Sequence, residues 1–242
     1  MKIHPDTFGL YLMDAHRGRD DPHIIERDDG HINADISSTR RYFSDYSDWS
    51  IPEQKAISYA HGTILDLGCG AGRHSLHLQD KGHRVLAADM SSLAIQVAKE
   101  RGVKRAIVAD ASSFAPDEAI DTVLLLGNGL GLFGTPENAR IQLKRFHSFT
   151  SGDATVILDT IDPHVSTNPS HTEYHKRNRR RNRLIGQIRL RHRYEVYASP
   201  WFDFFMTSLE ESRGILEGTG WMIERTINAN EPWYWMILGK MP

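Results

Sequence analysis

The sequence predicts an α/β protein with a doubly wound, seven-stranded sheet: five or more parallel strands, a C-terminal antiparallel hairpin and helices on both faces. Three observations predict this fold class. Short β-rich runs alternate with helical patterns from residue 63 onward. A glycine-rich turn, GCGAG, joins the first run to the first of these helices. The C-terminus holds two further β-rich runs with no room for a helix between them.

The parallel strands are predicted from five short apolar runs that are bounded by turn residues, as expected for buried strands. They are 63–67 (TILDL), 84–88 (RVLAA), 105–109 (RAIVA), 121–127 (DTVLLLG) and 154–159 (ATVILD). Helical patterns connect them, and we expect these helices to end at Gly82, Gly102 and Gly152. The last of these connecting helices begins with Thr135 as its N-cap and Pro136 in its first turn.

The remaining segments complete a single domain that we expect to span residues 1–242. Residues 1–60 are predicted to form a helical N-terminal lid, and residues 162–206 a β-rich insertion after the fifth strand, on the substrate side. A helix with a capping box formed by Ser208 and Glu211 then precedes the terminal hairpin of WMIERTIN and WYWMILGK.

Charge and cysteine content narrow the class of protein. The net charge is −2, yet residues 176–193 hold nine Lys and Arg and no acid, so the rest of the chain carries −11. A compact basic block on an acidic body argues against a nucleic-acid-binding surface over the whole protein. The single cysteine and the lack of a long apolar run predict a cytoplasmic protein that does not cross a membrane.

The glycine-rich turn indicates a nucleotide-like ligand, because glycines after a first strand let the backbone approach one closely. Its G-x-G-x-G spacing differs from the G-x-G-x-x-G of dinucleotide-binding proteins. In DLGCGAG the chain resembles class I S-adenosylmethionine-dependent methyltransferases, and in residues 162–206, with the runs YHKRNRRR and PWFD, it resembles small-molecule enzymes of bacteria. The resemblance implies S-adenosyl-L-methionine as the cofactor, held at this turn by Asp66, Gly68, Cys69, Gly70 and Gly72.

Further cofactor contacts are expected where later strands end. Asp89 follows the second strand, and its carboxylate could accept both ribose hydroxyls, with Met90 on the adenine face. The resemblance implies that the carboxylate of Asp110 would accept a hydrogen bond from the adenine amino group, and that the backbone of Ala111 would form a hydrogen bond with the adenine ring. Two residues after the fourth strand are expected beside the methionine end of the cofactor: Gly127 and Asn128.

Motifs that the sequence lacks restrict the chemistry. It has no N-P-P-[YFW] motif of the kind that amino-methylating enzymes use on adenine or glutamine. Its only cysteine, Cys69, lies inside the glycine turn, which excludes the nucleophile of cytosine C5-methyltransferases. Asp159 and Asp162 follow the fifth strand without the neighbouring Asn of catechol-type enzymes, so no metal is expected.

The substrate side is predicted from the insertion. The segment HTEYHKRN supplies candidate catalytic groups, which are His171, Tyr174 and His175. In the alternating stretch GQIRLRHRYEV three arginines share one strand face, a pattern suited to an anionic substrate or to a solvated surface. The candidate substrate-binding residues are Tyr42, Arg189, Arg191, Arg193 and Trp201. Tyr42 belongs to RRYFSDY, which is expected either to cover the cofactor or simply to pack on the sheet.

The sequence therefore favours a metal-independent O- or N-methyltransferase of a small, anionic metabolite. Two alternatives stay open. An RNA or DNA methyltransferase would use the arginine block on phosphates, although the acidic body disfavours it. A regulatory domain would bind the cofactor without catalysis.

Overall fold

The computed structural model describes residues 1–19, 21–35, 38–228 and 230–241. Its strands are β1 (Lys2–Ile3), β2 (His23–Arg27), β3 (Ile32–Asp35), β4 (Thr63–Leu67), β5 (Arg84–Asp89), β6 (Ala106–Val108), β7 (Ile120–Leu125), β8 (Thr150–Ile161), β9 (Gln187–Tyr194), β10 (Tyr197–Ala198), β11 (Phe202–Phe205), β12 (Trp221–Ile227) and β13 (Trp233–Lys240). Its α-helices are α1 (Thr7–His16), α2 (Ser38–Phe43), α3 (Ile51–Ile57), α4 (Arg73–Asp80), α5 (Ser92–Glu100), α6 (Pro136–Phe149), α7 (Pro169–Arg180) and α8 (Leu209–Leu216).

The main sheet has seven strands in the order β12-β13-β8-β7-β4-β5-β6. The pairs β4/β5, β5/β6 and β7/β8 are parallel, whereas β13 pairs antiparallel with both β8 and β12. This confirms the predicted fold class, a mostly parallel sheet that a C-terminal antiparallel hairpin completes. All five predicted parallel strands are present, with ends that differ from the prediction by up to four residues.

The chain divides into two compact units. The first comprises residues 1–49, 63–114 and 189–202, and the second comprises residues 50–62, 115–188 and 203–242. In the first unit α1 packs on α5, with Tyr11, Leu12 and Met13 buried against Ala71, Ala94 and Val97. In the second unit β8 contributes Val156, Ile157 and Leu158 to the core, and these residues are completely shielded from solvent. Burial of such apolar side chains is the main driving force for each core.

The N-terminal residues differ from the predicted helical lid, because they contain strands β1, β2 and β3 as well as helices. These strands belong to a second sheet with the order β1-β10-β9-β2-β3. The turn between β2 and β3 is made by Gly30, whose φ of +88° is disfavoured for other residues. The pairing of β2 with β9, which places Ile25 opposite His192, joins segments far apart in sequence. Residues 20, 36 and 37 of the expected lid lie outside the described residues.

Two further expectations need correction. The expected β-rich insertion of residues 162–206 contains the twelve-residue helix α7, which begins at Pro169 behind the N-cap Asn168. Gly152 does not end a helix. Helix α6 ends at Phe149 and the chain passes directly into β8, so Gly152 lies inside that strand. By contrast, Gly82 and Gly102 follow α4 and α5 with φ of +91° and +110°, as expected for left-handed caps. The predicted cap Thr135 and the capping box of Ser208 and Glu211 are present.

Within the described part of the chain, no helix has the length and apolar character needed to span a membrane.

Candidate active site

The turn between β4 and α4 has the backbone of a ligand cradle. Gly68, Gly70 and Gly72 have φ of +74°, +53° and +78°, a left-handed conformation that glycine adopts without strain. A Cβ atom at Gly72 would lie 2.7 Å from Cγ2 of Val103, so this glycine also permits close packing. A Cβ at Gly70 would meet only Cδ1 of Leu12, at 4.0 Å, and the space beside Gly70 is therefore open to a ligand.

Asp89 connects the end of β5 to the glycine turn. Its Oδ2 accepts a 2.9 Å hydrogen bond from the backbone N–H of Gly70, and its Oδ1 accepts one of 2.8 Å from Ser91. Desolvation raises the pKa of this carboxyl, and the two backbone hydrogen bonds oppose that rise. Each carboxylate oxygen keeps further acceptor capacity, because an ionised carboxylate has about four lone-pair sites. Asp89 is thus positioned at the turn and still able to accept hydroxyl donors.

An apolar surface borders Asp89. Met90 and Val108 are 79% and 56% exposed, and Val108 is the register partner of Asp89 on the neighbouring strand. Exposed apolar side chains at strand ends are typical of a site that takes a flat apolar ligand. The next loop contains Asp110, an exposed residue whose Oδ1 accepts a hydrogen bond from Ser112 N at 2.8 Å, and then Ala111. These residues fit an adenosine group, with an apolar face for the base and carboxylates for its polar atoms.

The side chains of Asp66 and Cys69 are buried. Asp66 is buried and accepts a 2.5 Å hydrogen bond from the Ser75 hydroxyl, which ties the end of β4 to α4. Desolvation raises the pKa of Asp66, and His74 lowers it in part. Burial also raises the pKa of the Cys69 thiol well above its usual value, so Cys69 is poorly suited to nucleophilic chemistry.

Gly127 and Asn128 follow β7 in the second unit, with φ of +80° and +63°. Both backbone N–H groups donate to Oδ1 of Asp159, at 2.6 Å and 3.3 Å. Oδ2 of Asp159 accepts a further hydrogen bond from Nε1 of Trp233. The Asn128 side chain in turn accepts from the backbone N–H of Ile161 at 2.9 Å. The sequence had not indicated this positioning role of Asp159 and Trp233, although an acidic residue inside the apolar run ATVILD was a visible signal.

The candidate catalytic residues lie along one side of α7. Tyr174 and His175 are 3% and 9% exposed. The Tyr174 ring is covered by the Arg177 guanidinium, whose carbon lies 4.1 Å from the ring centre. His171 is more accessible, and its Nδ1 lies 2.9 Å from the Ser166 hydroxyl. Ser166 therefore fixes the orientation of the His171 ring.

Two arginines of the β9 row contact a single acid on β2. Glu26 contacts Nε of Arg191 at 2.9 Å and Nη1 of Arg193 at 3.5 Å. The hydrogen bond from Arg191 lowers the pKa of Glu26. Arg191 also lies over the Trp201 ring, 4.4 Å from its centre. The sequence placed three arginines together at the surface. The structure shows that Arg191 and Arg193 both form an ion pair with Glu26.

Tyr42 belongs to an aromatic cluster in the first unit. Its ring lies edge-on to Phe8 and Tyr11, with centroid distances of 5.2 Å and 6.2 Å. The same cluster contains His23, which stacks on Tyr11 at 4.7 Å and whose Nε2 lies 2.9 Å from Nδ1 of His192. Nothing in these contacts identifies a substrate, and the assignment of Tyr42 to substrate binding stays a prediction.

The described ranges contain no group of three or more His, Cys, Asp or Glu side chains arranged to hold a metal ion.

Part of the chain is similar in sequence to known methyltransferases. Residues 64–150 match the family model described as a methyltransferase domain. The chain is 42% identical over 60 residues to a 2-heptyl-1-hydroxyquinolin-4(1H)-one methyltransferase of Mycobacteroides abscessus, which covers 22% of this chain and 26% of that protein. It is 29% identical over 104 residues to a cypemycin N-terminal methyltransferase of a Streptomyces species, covering 42% of each. The matches thus span less than half the length of either curated relative.

Among solved structures, the fold is similar to that of a methyltransferase from Bacteroides fragilis in complex with S-adenosyl-L-homocysteine. The TM-score is 0.83 at 24% identity, and the superposition covers 100% of this chain and 98% of the other. At this identity the likeness establishes a shared fold.

Proposed function

We propose that this chain is a class I S-adenosylmethionine-dependent methyltransferase that transfers the methyl group of the cofactor to a small-molecule acceptor. The observation that carries the proposal is the contact between Asp89 and Gly70. It ties the left-handed glycine turn to a carboxylate that could accept the ribose hydroxyls of the cofactor.

The roles of the other cofactor residues follow from their chemistry. Met90 and Val108 would cover the adenine ring, Asp110 would accept its amino group, and the backbone of Ala111 would bond the ring. Gly127 and Asn128 would contact the methionine part, with their backbone held by Asp159. The cofactor supplies an electrophilic methyl group that undergoes in-line displacement, so the chain mainly has to align the acceptor and exclude water.

For a hydroxyl or amine acceptor we assign the role of proton acceptor to His171. Its Nδ1 is engaged with Ser166, and such a contact fixes the ring plane, as a general base requires. Tyr174 and His175 are more deeply buried, and we assign them to orienting α7 and its neighbours. Tyr42, Trp201 and Arg189 remain proposed acceptor contacts.

The small size of the acceptor is supported by two arguments. Both curated relatives carry the names of enzymes that act on low-molecular-weight compounds or a peptide terminus. Phosphate backbones, in contrast, require many available cations along a track. Here Arg191 and Arg193 share Glu26, and Lys176 contacts Glu173 at 3.3 Å. Because Glu26 already contacts two of the three arginines, we base the proposal on size rather than on charge. The cytoplasmic location stays a prediction.

The test has two stages. Calorimetry should detect binding of S-adenosylmethionine and S-adenosylhomocysteine and none of a nicotinamide dinucleotide. Protein incubated with methyl-labelled cofactor and a pooled metabolite extract should then yield a labelled small molecule by mass spectrometry. Labelled transfer RNA or duplex DNA in a parallel reaction would overturn the small-molecule proposal. Cofactor binding without a labelled product in any pool would favour the regulatory alternative.

A further inference from the structure

Arg101 lies at the C-terminal end of α5 and contacts two separate segments of the first unit. Its Nη1 donates a 2.6 Å hydrogen bond to the backbone carbonyl of Ala71, the residue between Gly70 and Gly72. The same guanidinium donates longer hydrogen bonds to the carbonyls of Tyr42 and Phe43, at 3.5 Å and 3.4 Å. Its central carbon also lies 5.0 Å from the centre of the Phe43 ring.

The segment that contains these carbonyls, residues 42–49, is called the strap here. It is also attached to the first residue of α4, because Nη1 of Arg73 lies 3.5 Å from the Ser44 hydroxyl and its guanidinium stacks over the Trp49 ring at 5.1 Å. Further along, the Tyr46 and His77 rings stack in parallel at 4.1 Å. The strap therefore follows the glycine turn and α4 from Ala71 to His77.

The chemistry of arginine suits this junction. A guanidinium has five N–H donors in a rigid fork and can bond carbonyls from two segments at once, which a lysine ammonium does less well. The carbonyls of Tyr42 and Phe43 end helix α2, where partial negative charge accumulates. The guanidinium is partly desolvated, and this desolvation lowers the pKa of Arg101 while the nearby Asp45 raises it. A partly desolvated cation bonded mainly to carbonyls is costly to displace, so it ties the two segments together.

We propose that Arg101 is a positioning residue that couples the glycine turn to the strap, so that binding of the cofactor orders residues 42–49. Arg101 sets the carbonyl of Ala71 and with it the orientation of the peptide groups beside Gly70. Because coupling of binding equilibria is reciprocal, a fixed strap strengthens cofactor binding by the same factor by which the cofactor favours the fixed strap. This inference rests on the proposed cofactor site.

The experiment compares wild type with Arg101→Met, Arg101→Lys and the control Lys99→Met. Lys99 is an exposed residue of the same helix turn, so its substitution matches the loss of charge without touching the turn. The dissociation constant of S-adenosylhomocysteine is measured by calorimetry, and hydrogen exchange of residues 42–49 is followed with and without it. Thermal unfolding of each unliganded variant reports whether the fold is retained.

In wild type and Lys99→Met we expect S-adenosylhomocysteine to slow exchange in the strap. Arg101→Met should weaken its binding about tenfold or more, as loss of a charged hydrogen bond implies, and should abolish the slowed exchange. Arg101→Lys should recover part of the affinity. If Arg101→Met binds as tightly as wild type, or if its strap still responds to the ligand, the inference is wrong.

A second variant acts from the strap and keeps Arg101. Phe43→Leu removes the ring beneath the guanidinium while leaving the backbone carbonyl in place, and it should reduce the ligand response of the strap. Phe43→Leu provides the test if Arg101→Met does not fold. If S-adenosylhomocysteine then slows hydrogen exchange in the strap of Phe43→Leu as much as in wild type, the proposed coupling is wrong. Failure of wild type to bind S-adenosylhomocysteine would instead overturn the proposed function itself, which separates the two failures.

Discussion

Asp159 and Trp233 are joined by a 2.6 Å hydrogen bond from the indole Nε1–H to the carboxylate Oδ2. Asp159 lies on β8 and Trp233 begins β13, which pairs with β8. Because the other oxygen of Asp159 accepts the N–H groups of Gly127 and Asn128, the carboxylate connects two strands to the loop after β7. These three partners are all donors, so they favour the ionised carboxylate, in opposition to its desolvation.

Titration of Asp159 should make the free energy of unfolding depend on pH. Desolvation, with a smaller contribution from Glu53, raises its pKa to about 6 from 3.8, while the three hydrogen bonds act in the opposite direction. The native state therefore holds this proton at a pH where the unfolded chain has lost it. The contribution of Asp159 to the free energy of unfolding is largest below pH 4, and about 3 kcal/mol is lost in total as the pH rises through 6 to about 7.

Asp159→Asn cannot titrate and should lack this fall. Urea unfolding of both proteins from pH 4 to 7 gives the difference in free energy of unfolding at each pH. We expect wild type to lose stability relative to Asp159→Asn as the pH rises from 4 to about 7. A difference that is independent of pH would show that Asp159 does not titrate in this range.

Ionisation of Asp159 should also affect the cofactor. Because the carboxylate holds the N–H groups of Gly127 and Asn128, we expect S-adenosylhomocysteine to bind more tightly as the pH rises through 6 in wild type. Asp159→Asn should bind more weakly and show a flatter profile, since its amide places a donor where a carboxylate oxygen accepted. Calorimetry at pH 5, 6 and 7 measures the affinity of wild type and of Asp159→Asn for S-adenosylhomocysteine. If the two affinities change with pH in the same way, ionisation of Asp159 does not affect cofactor binding.

Asp89→Ala should raise the dissociation constant of S-adenosylhomocysteine by at least about tenfold. Charge-assisted hydrogen bonds to the ribose contribute about 1.5 to 3 kcal/mol each, and the variant also loses the acceptor for Gly70 N–H. Ser92→Ala is a suitable control, because this exposed residue lies close to Asp89 but donates only a long hydrogen bond, of 3.5 Å, to Asp6. Equal affinities of wild type and Asp89→Ala would remove Asp89 from the cofactor site.

The double variant Arg191→Ala and Arg193→Ala separates two explanations of the arginine row. Glu26 and Arg191 are only 15% and 17% exposed, so removing both cations should cost about 1 to 3 kcal/mol of stability and leave cofactor affinity unchanged. Adding Glu26→Gln should restore part of that loss, because the unpaired acid is gone. If the acceptor is anionic, the double variant should in addition raise its KM. An unchanged KM for an identified acceptor would confine these arginines to a structural role.

His192 should influence stability in the direction opposite to Asp159. Desolvation, and to a smaller extent His23, lowers its pKa to about 3 from 6.5, so the native state keeps it neutral while the unfolded chain takes up a proton. The free energy of unfolding should therefore decrease as the pH falls below 6.5. His192→Phe, which keeps the aromatic packing with Phe8 and Phe202, should lose less stability between pH 7 and 5 than wild type. His83→Phe, outside this cluster, is the control, and equal losses in wild type and His192→Phe would refute the prediction.

The sequence by itself determined the features that depend on neighbouring residues. Alternation of short apolar runs with helical patterns predicted the main sheet, because the periods of strands and helices are local properties. The three glycines of GCGAG predicted a turn whose backbone can approach a ligand closely, and the structure shows all three in the left-handed conformation that glycine adopts without strain. The cap at Thr135 and the capping box at Ser208 were equally visible, because each requires only residues three positions apart. The positions of Asp89 and Asp110 after their strands followed from the same pattern.

Only the tertiary structure decided which of these side chains meet distant partners. The N-terminal strands were missed because β2 pairs with β9, and the loss of entropy on joining such distant segments is offset only by contacts made in the folded chain. The same pairing places Glu26 opposite Arg191 and changes an apparent anion site into an ion pair. The carbonyl of Ala71 receives Arg101 from the end of another helix, a contact that no local pattern signals. Local periodicity therefore predicted the elements and the glycine turn, whereas the charge balance and the positioning contacts depend on packing between segments remote in sequence.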